Sequence, residues 1–206
     1  MTPTVLQSPN FDERPAGETV SLVVIHAISL PPDRFGGSGV EDLFTNRLDP
    51  AAHPYYAGIH HLRVSAHYFI RRTGELIEFV SPEKRAWHAG VSSWRGRERC
   101  NDFSIGIELE GCDTLPFEDV QYSVLAALLD DLGERFPVID AVGHSDVAPG
   151  RKTDPGPYFE WSRLRRYIMD RGGRVALLDW RRALSERGEG PIDPMRWPFP
   201  LTGRPG

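Results

Sequence analysis

The chain has 206 residues, of which 40% are hydrophobic and 26% are charged, and its formal net charge is −5. This composition is typical of a globular protein and excludes the disordered and fibrous classes. The negative net charge leaves no basic footprint for nucleic acid, so we predict no nucleic-acid partner.

The N-terminal region has no apolar run behind a basic start, so it does not resemble a signal peptide. No uninterrupted apolar stretch approaches the roughly 20 residues that a membrane-spanning helix needs. Cys100 and Cys112 are the only two cysteines, too few for a disulfide framework, and we expect them to be reduced, buried thiols. These features together predict a cytoplasmic protein without membrane association.

The first half of the chain predicts two strand regions and a short helix. Residues 21–28 (SLVVIHAI) form an apolar, β-branched run typical of a buried strand, with His26 near its end. Residues 40–48 (VEDLFTNRL) favour a short helix after a loop rich in proline and glycine. Residues 67–80 predict a hairpin that turns at Arg72-Thr73-Gly74. His53, His60 and His61 fall in an expected loop and receive no role.

The second half alternates strands and helices. Residues 103–111 (FSIGIELEG) predict a strand, and apolar residues recur at helical spacing between Phe117 and Phe136. A short strand ends at His144, and residues 158–170 (YFEWSRLRRYIMD) predict a further helix. This alternation predicts an α/β fold with one domain, in which helices flank a mixed central sheet.

The composition changes beyond Gly173, where a possible helix is followed by a tail rich in proline and glycine. We therefore place the folded domain at residues 1–173 and a C-terminal extension at residues 174–206.

The segment GHSDVAPGRKTDPGP, residues 143–157, contains three prolines and three glycines, so neither a helix nor a central strand is expected to continue through it. It contains His144 and Asp154, and His26 likewise lies at a strand end. Two imidazoles and one carboxylate are a suitable ligand set for catalytic zinc. Taken singly, a histidine at a strand end is more often a hydrogen-bonded structural residue, so spacing alone leaves both interpretations open.

Four segments resemble the zinc amidases of peptidoglycan recycling, the AmpD branch of the N-acetylmuramoyl-L-alanine amidase family, and they occur in the order of that family. The family is related in fold to T7 lysozyme and to the peptidoglycan-recognition proteins. The segments are VVIHAISLPP, HLRVSAHYFIRRTGEL, RAWHAGVSSWRGRERCNDFSIGIELEG and GHSDVAPGRKTDPGP.

The resemblance implies a Zn²⁺ ion bound by His26, His144 and Asp154. Hydrolysis of an amide also needs a base and a cation that meets the developing oxyanion. Glu108 and Glu110 point to the same face of one strand, so periodicity cannot choose between them. The resemblance assigns the base to Glu108 and the oxyanion cation to Lys152.

Substrate contacts are implied for three further residues. Arg63 and Arg99 match arginines that the family uses toward carboxylates of the stem peptide, and a planar guanidinium suits that task. Trp87 matches an aromatic residue of the binding pocket. His67 and His88 are expected beside the site in a supporting role. Ala27 replaces an asparagine that is usual in the family, which affects the expected peptide contacts and not the metal.

The resemblance therefore implies a cytoplasmic zinc amidase that cleaves the bond between 1,6-anhydro-N-acetylmuramic acid and L-alanine in recycled muropeptides. The expected partner is an anhydro-muropeptide substrate, and the sequence identifies no protein partner. One alternative is an exported amidase that acts on intact peptidoglycan. Another is a muropeptide-binding module without catalysis, although such modules typically lack a zinc ligand.

Overall fold

The computed structural model describes residues 2–138 and 140–171. A six-stranded mixed sheet organises this part of the chain. Its strands are β1 (Thr4–Val5), β3 (Leu22–Ile28), β4 (Tyr68–Ile70), β5 (Leu76–Glu78), β9 (Ser104–Glu110) and β10 (Asp140–Gly143). They lie in the spatial order β1-β5-β4-β9-β3-β10, and all neighbours are parallel except the antiparallel pair β4 and β5.

Two small antiparallel pairs lie outside this sheet, and five α-helices and one 3₁₀ turn complete the described elements. The pairs join β2 (Phe11–Asp12) to β6 (Arg85–Ala86) and β7 (Ser93–Trp94) to β8 (Arg97–Glu98). The helices are α1 (Gly39–Phe44), α2 (Pro54–Ile59), α3 (Asp119–Arg135), α4 (His144–Val147) and α5 (Trp161–Asp170), and the 3₁₀ turn is Cys100–Asp102.

The alternation of side chains along β9 divides the sheet into two different faces. Ile105, Ile107 and Leu109 are fully buried in the main core together with apolar residues of α3 and α5. The intervening residues Ser104, Gly106, Glu108 and Glu110 therefore project to the other face, because successive strand residues alternate. The strand thus packs the core with one set of residues and leaves small and polar residues on the opposite face.

The parallel strands also bring three of the predicted site residues to one end of the sheet. His26 lies near the end of β3, Glu108 lies near the end of β9, and His144 directly follows β10. In the register between β3 and β9, His26 stands opposite Glu108. The carboxyl ends of neighbouring parallel strands meet at one edge, which is where α/β proteins place their sites.

The α/β class with a mixed central sheet is confirmed, as are the central strands, the hairpin and the helix between Phe117 and Phe136. As expected, no helix or strand continues through residues 143–157: a single helical turn, α4, forms at the start of this segment and ends before Pro149. His53 is not simply a loop residue: its Nδ1 accepts a hydrogen bond from the Tyr55 N–H at 3.1 Å and caps α2.

The possible helix after Gly173 and the extension at residues 174–206 lie outside the described residues. The domain boundary at residue 173 therefore stays a prediction. Within the described ranges, no helix combines the length and the apolar character that crossing a bilayer requires.

Candidate metal centre and active site

Three side chains from distant parts of the sequence converge at the carboxyl end of the sheet. Their contacting atoms are His26 Nδ1, His144 Nδ1 and Asp154 Oδ2, and the distances between them are 2.9 Å, 3.1 Å and 3.0 Å. The two histidines are buried and the aspartate is partly buried. These atoms form the one group of His, Cys, Asp or Glu side chains with metal-binding geometry in the described ranges.

The cluster fits a cation better than it fits a set of hydrogen bonds. The three atoms lie within 3.1 Å of one another, and a single shared proton cannot satisfy all three contacts at once. Ligands of a tetrahedral zinc ion at about 2.0–2.1 Å lie about 3.3 Å apart, close to the observed spacing. Two imidazoles and one carboxylate that meet in this way have the composition of a metal site.

The electrostatics of the cluster are also those of a cation site. Burial lowers the pKa of His26 to about 4, and the hydrogen bond to Asp154 only partly opposes this effect. Burial raises the pKa of Asp154, but its hydrogen bonds with His144 and His26 outweigh burial and hold the pKa below its usual range. These two shifts favour a neutral imidazole at His26 and an ionised carboxylate at Asp154, which are the protonation states that bind metal.

The loop that carries His144 and Asp154 is closed by backbone contacts. The Ser145 N–H donates to the Asp154 carbonyl at 2.9 Å, which joins the two ends of the loop beside their ligand side chains. The Thr153 hydroxyl donates to Asp113 at 2.7 Å and holds the segment before Asp154. These contacts bring the side chains of His144 and Asp154, which are ten residues apart in the sequence, into direct contact.

Glu108 lies beside this cluster and is only 8% exposed. Its Oε2 atom is buried and has no hydrogen-bond partner among the described residues. Burial raises the pKa of Glu108 well above its usual value, and the negative charge of Asp154 adds to the rise, whereas the charge of Lys152 opposes it. A buried carboxyl group of this kind is poised to exchange protons.

Glu110 has a different environment, although it is on the same strand and the same face. Its Oε1 accepts from the Gly36 N–H at 2.5 Å and its Oε2 accepts from the Arg72 N–H at 3.0 Å. Arg71 Nη1 lies 3.5 Å from Oε1. Glu110 thus anchors the loop after β3 to the turn after β4, which accounts for its burial.

The remaining predicted residues do not contact the three cluster atoms. Lys152 is exposed, and its charge acts on both His26 and Glu108. The Arg63 guanidinium is exposed and donates to the carbonyls of His60 and Leu62, each at 3.3 Å. Arg99 is 70% exposed, and its Nε lies 3.1 Å from Asp102 Oδ2.

Trp87 is half-buried and is fixed through its backbone. Its N–H donates to the Ser65 hydroxyl at 3.0 Å, and its carbonyl accepts from the Ser65 N–H at 3.1 Å. The next residue, His88, contacts the metal cluster: its Nδ1 lies 3.0 Å from His26 Nε2. Trp87 is therefore one residue away from a direct neighbour of the predicted ligands.

Several supporting contacts were not identified from the sequence. The Ala89 carbonyl lies 3.2 Å from His144 Nε2, and Asn101 Oδ1 accepts from the N–H groups of His88 and Ala89 at 3.2 Å and 2.8 Å. Ser104 Oγ lies 3.3 Å from His88 Nε2. One available signal is the run of small and polar residues at alternate positions of β9, from Ser104 to Glu110.

Comparison with known proteins gives a consistent result. Residues 16–157 match the family model described as N-acetylmuramoyl-L-alanine amidase. The chain is 60% identical over 163 residues to the 1,6-anhydro-N-acetylmuramyl-L-alanine amidase AmpD of Citrobacter freundii, a match that covers 78% of this chain and 87% of that protein.

Solved structures agree with this match. The crystal structure of a selenomethionine AmpD derivative has 57% identity and a TM-score of 0.79, covering 81% of this chain and 94% of that one. AmiD from Escherichia coli, in complex with the substrate anhydro-N-acetylmuramic acid-L-Ala-D-γ-Glu-L-Lys, has 30% identity and a TM-score of 0.53. That match covers 75% of this chain and 60% of AmiD.

Proposed function

Because the chain belongs to the N-acetylmuramoyl-L-alanine amidase family, we propose that His26, His144 and Asp154 hold a catalytic zinc ion in this enzyme. The protein is an amidase that hydrolyses the bond between anhydro-N-acetylmuramic acid and L-alanine in muropeptides, within peptidoglycan recycling. The observation that carries the zinc proposal is the mutual contact of His26 Nδ1, His144 Nδ1 and Asp154 Oδ2.

The donor set supports zinc in particular. Catalytic zinc sites use three protein ligands from histidine and carboxylate side chains and leave one position open. When bound, zinc supplies a Lewis acid that polarises a carbonyl group and acidifies water. The protein must supply the remaining proton transfer and charge stabilisation with its own side chains.

Glu108 is the general base in this proposal. It has a buried Oε2 without a partner and stands opposite His26 in the register of the sheet. Burial raises the pKa of the Glu108 carboxyl well above its usual value, and a carboxyl group of this kind can take a proton from attacking water and then deliver it to the departing amine. Glu110 is not suited to this role, because both its oxygens accept backbone hydrogen bonds.

Lys152 supplies the positive charge that the reaction needs. Its charge opposes the rise in the Glu108 pKa, so the ammonium group acts on the carboxyl group that serves as the base. An ammonium group at that position stabilises the negative charge that develops on the carbonyl oxygen during attack. Its side chain is exposed and therefore accessible to the substrate.

Arg63, Arg99 and Trp87 form the proposed substrate-binding set. The two guanidinium groups are exposed and remain available for carboxylates of the stem peptide. Trp87 offers an aromatic surface next to His88, near the metal cluster. This set binds the substrate without taking part in the proton transfer.

We also propose that the enzyme works in the cytoplasm on released anhydro-muropeptides rather than on intact peptidoglycan. Its similarity to an amidase named for an anhydro-muramyl substrate supports this location. Incubation with anhydro-muropeptide and with intact sacculi, each with and without a chelator, distinguishes the two substrates. Release of peptide from sacculi but not from anhydro-muropeptide would overturn the recycling role.

Removal of single ligands tests the zinc proposal. His26→Ala, His144→Ala and Asp154→Ala should each lose zinc and turnover together, because two remaining ligands hold a catalytic zinc weakly. Zinc content by elemental analysis and hydrolysis of anhydro-muropeptide should be measured on the same samples. Full zinc occupancy in His144→Ala would refute the ligand assignment, and a zinc-loaded wild type that binds muropeptide without turnover would indicate a binding module.

A further inference from the structure

A chain of hydrogen bonds links His88 to a backbone carbonyl group on one side and to a predicted metal ligand on the other. The Ser104 hydroxyl donates to the Cys100 carbonyl at 2.5 Å, and Ser104 Oγ lies 3.3 Å from His88 Nε2. His88 Nδ1 lies 3.0 Å from His26 Nε2. The chain therefore runs from a fixed acceptor, the Cys100 carbonyl, to the predicted metal ligand His26.

The direction of every hydrogen bond in this chain follows from that acceptor. A carbonyl group cannot donate, so the single hydroxyl proton of Ser104 is committed to Cys100. Ser104 Oγ then accepts from His88 Nε2–H, which leaves a lone pair on His88 Nδ1. That lone pair accepts from His26 Nε2–H, and in a neutral imidazole the other nitrogen, His26 Nδ1, is then free of a proton.

This outcome is not the one that Asp154 alone would favour. Asp154 Oδ2 lies 3.1 Å from His26 Nδ1, and a nearby carboxylate by itself favours a proton on that nitrogen. A proton on Nδ1 would occupy the lone pair that points to the other two ligand atoms. His88 opposes this tautomer from the opposite side of the ring.

The packing around His88 holds its ring in the required orientation. A Cβ atom at Gly106 would lie 2.4 Å from His88 Cγ, so the ring occupies the space that the missing side chain leaves on β9. Asn101 holds the backbone of His88 and Ala89 through two hydrogen bonds. Ala89 in turn places its carbonyl 3.2 Å from His144 Nε2, which gives His144 the same tautomer.

We propose that His88 is a positioning residue that, together with Ser104, fixes His26 as the tautomer whose Nδ1 lone pair is free for the metal. The inference rests on the zinc site proposed above and adds to it the part of the chain that prepares the first ligand. Partners of metal-bound histidines of this kind are worth about 10–100-fold in metal affinity.

Substitution of His88 by asparagine and by leucine, which have the same shape as each other, separates this role from a purely structural one. Asparagine places its Oδ1 where histidine has Nδ1, so His88→Asn retains an acceptor for His26, whereas His88→Leu has a methyl group there. The affinity of the full-length protein for Zn²⁺ should be measured by competition with a chromophoric chelator. We expect a loss of about 10–100-fold in His88→Leu, recovery of most of that loss in His88→Asn, and a several-fold loss in Ser104→Ala.

Nitrogen-15 NMR of the imidazole groups in the zinc-loaded wild type gives an independent readout. We expect His88 as the Nε2–H tautomer, with a slowly exchanging proton on His26 Nε2. An Nδ1–H tautomer of His88 would overturn the proposal, as would equal zinc affinity in His88→Asn and His88→Leu. Should His88→Leu fail to fold, unchanged affinity in Ser104→Ala overturns the proposal in its place.

These outcomes are distinct from failure of the proposed function. If the wild type binds no zinc, the zinc site and the role of His88 are both wrong. If the wild type binds zinc and the His88 and Ser104 variants bind it equally well, only the positioning role is wrong. Thermal melts of each variant confirm that the comparison is made between folded proteins.

Discussion

Glu108 and Glu110 lie two residues apart on one strand, face the same side of the sheet and are both buried. The region around Glu110 satisfies both carboxylate oxygens with backbone N–H groups and adds Arg71 nearby. The region around Glu108 leaves Oε2 without a partner among the described residues and brings the charge of Asp154 close.

The difference shows that burial alone does not identify a reactive group. Glu110 is stabilised as an anion by donors that the fold supplies, so its burial serves the architecture of the loop after β3. Glu108 is held where its anion is poorly stabilised, which is costly for the fold and useful for proton transfer. The number of hydrogen-bond partners therefore separates the two roles.

The largest expected effect within this comparison is that of Glu108→Gln. The amide retains the shape of the side chain but cannot take a proton, so turnover should fall by roughly 10²–10⁴, the usual contribution of a general base. Zinc content and muropeptide affinity should remain near the wild-type values. Steady-state kinetics and zinc analysis of the purified variant are the measurements, and near-wild-type turnover would transfer the role of base to another residue.

Lys152→Met should have the next largest effect. Loss of the ammonium group removes the charge beside Glu108, and we expect a decrease in kcat on the order of 10²–10³ with zinc retained, comparable to deletion of one oxyanion donor. Lys84→Met is a matched control, because Lys84 is the other lysine of the chain and pairs with Glu13. Equal activity in the two variants would contradict the catalytic role of Lys152.

Glu110→Gln should affect stability and leave proton transfer intact. The substitution replaces an anion that accepts two backbone hydrogen bonds, so the free energy of unfolding should fall by about 1–3 kcal/mol. The same substitution at Glu108 should leave stability unchanged or raise it, because it removes a poorly stabilised buried carboxyl. Urea denaturation of both variants measures the change in the free energy of unfolding. A decrease of similar size in both variants would contradict the distinction between the two carboxylate regions.

The smallest effects are expected at Arg63 and Arg99, which lie outside both carboxylate regions. Arg63→Met and Arg99→Met should each raise KM by about tenfold, the equivalent of about 1.4 kcal/mol, with kcat near the wild-type value. Arg166→Met, an exposed position on α5, serves as the control. A fall in kcat at constant KM would instead place these arginines in the transition state.

The sequence predicts the main elements of the fold and the residues of the candidate site, but not the contacts that organise that site. The strand ends at His26 and His144, the chemistry of these histidines and of Asp154 in the following loop, and the family resemblance together predict the ligand set. The link from His88 to His26 joins residues 62 positions apart, and no local pattern predicts such a pairing. The choice between Glu108 and Glu110 likewise depends on donors from Gly36 and Arg72, which only the folded chain brings together.

Ala27, the neighbour of His26, also shows this limit. The family resemblance predicts that the replacement of asparagine by Ala27 affects contacts with the substrate peptide. The Ala27 side chain is partly buried and packs against the main core, because successive residues of β3 point to opposite faces of the sheet. Its effect on peptide binding stays a prediction.

The pairing of β3 with β9 has a consequence for protein engineering. The two strands pair in a seven-residue parallel register, in which the position of His26 relative to Glu108 is set by main-chain hydrogen bonds. Arg63 and Arg99 lie outside these two strands, in the segments after α2 and after β8. A segment with another peptide specificity should therefore be grafted after α2, where the geometry of hydrolysis should be inherited unchanged from the sheet. The segment after β8 is less suitable, because its Cys100 carbonyl and Asn101 hold Ser104 and His88.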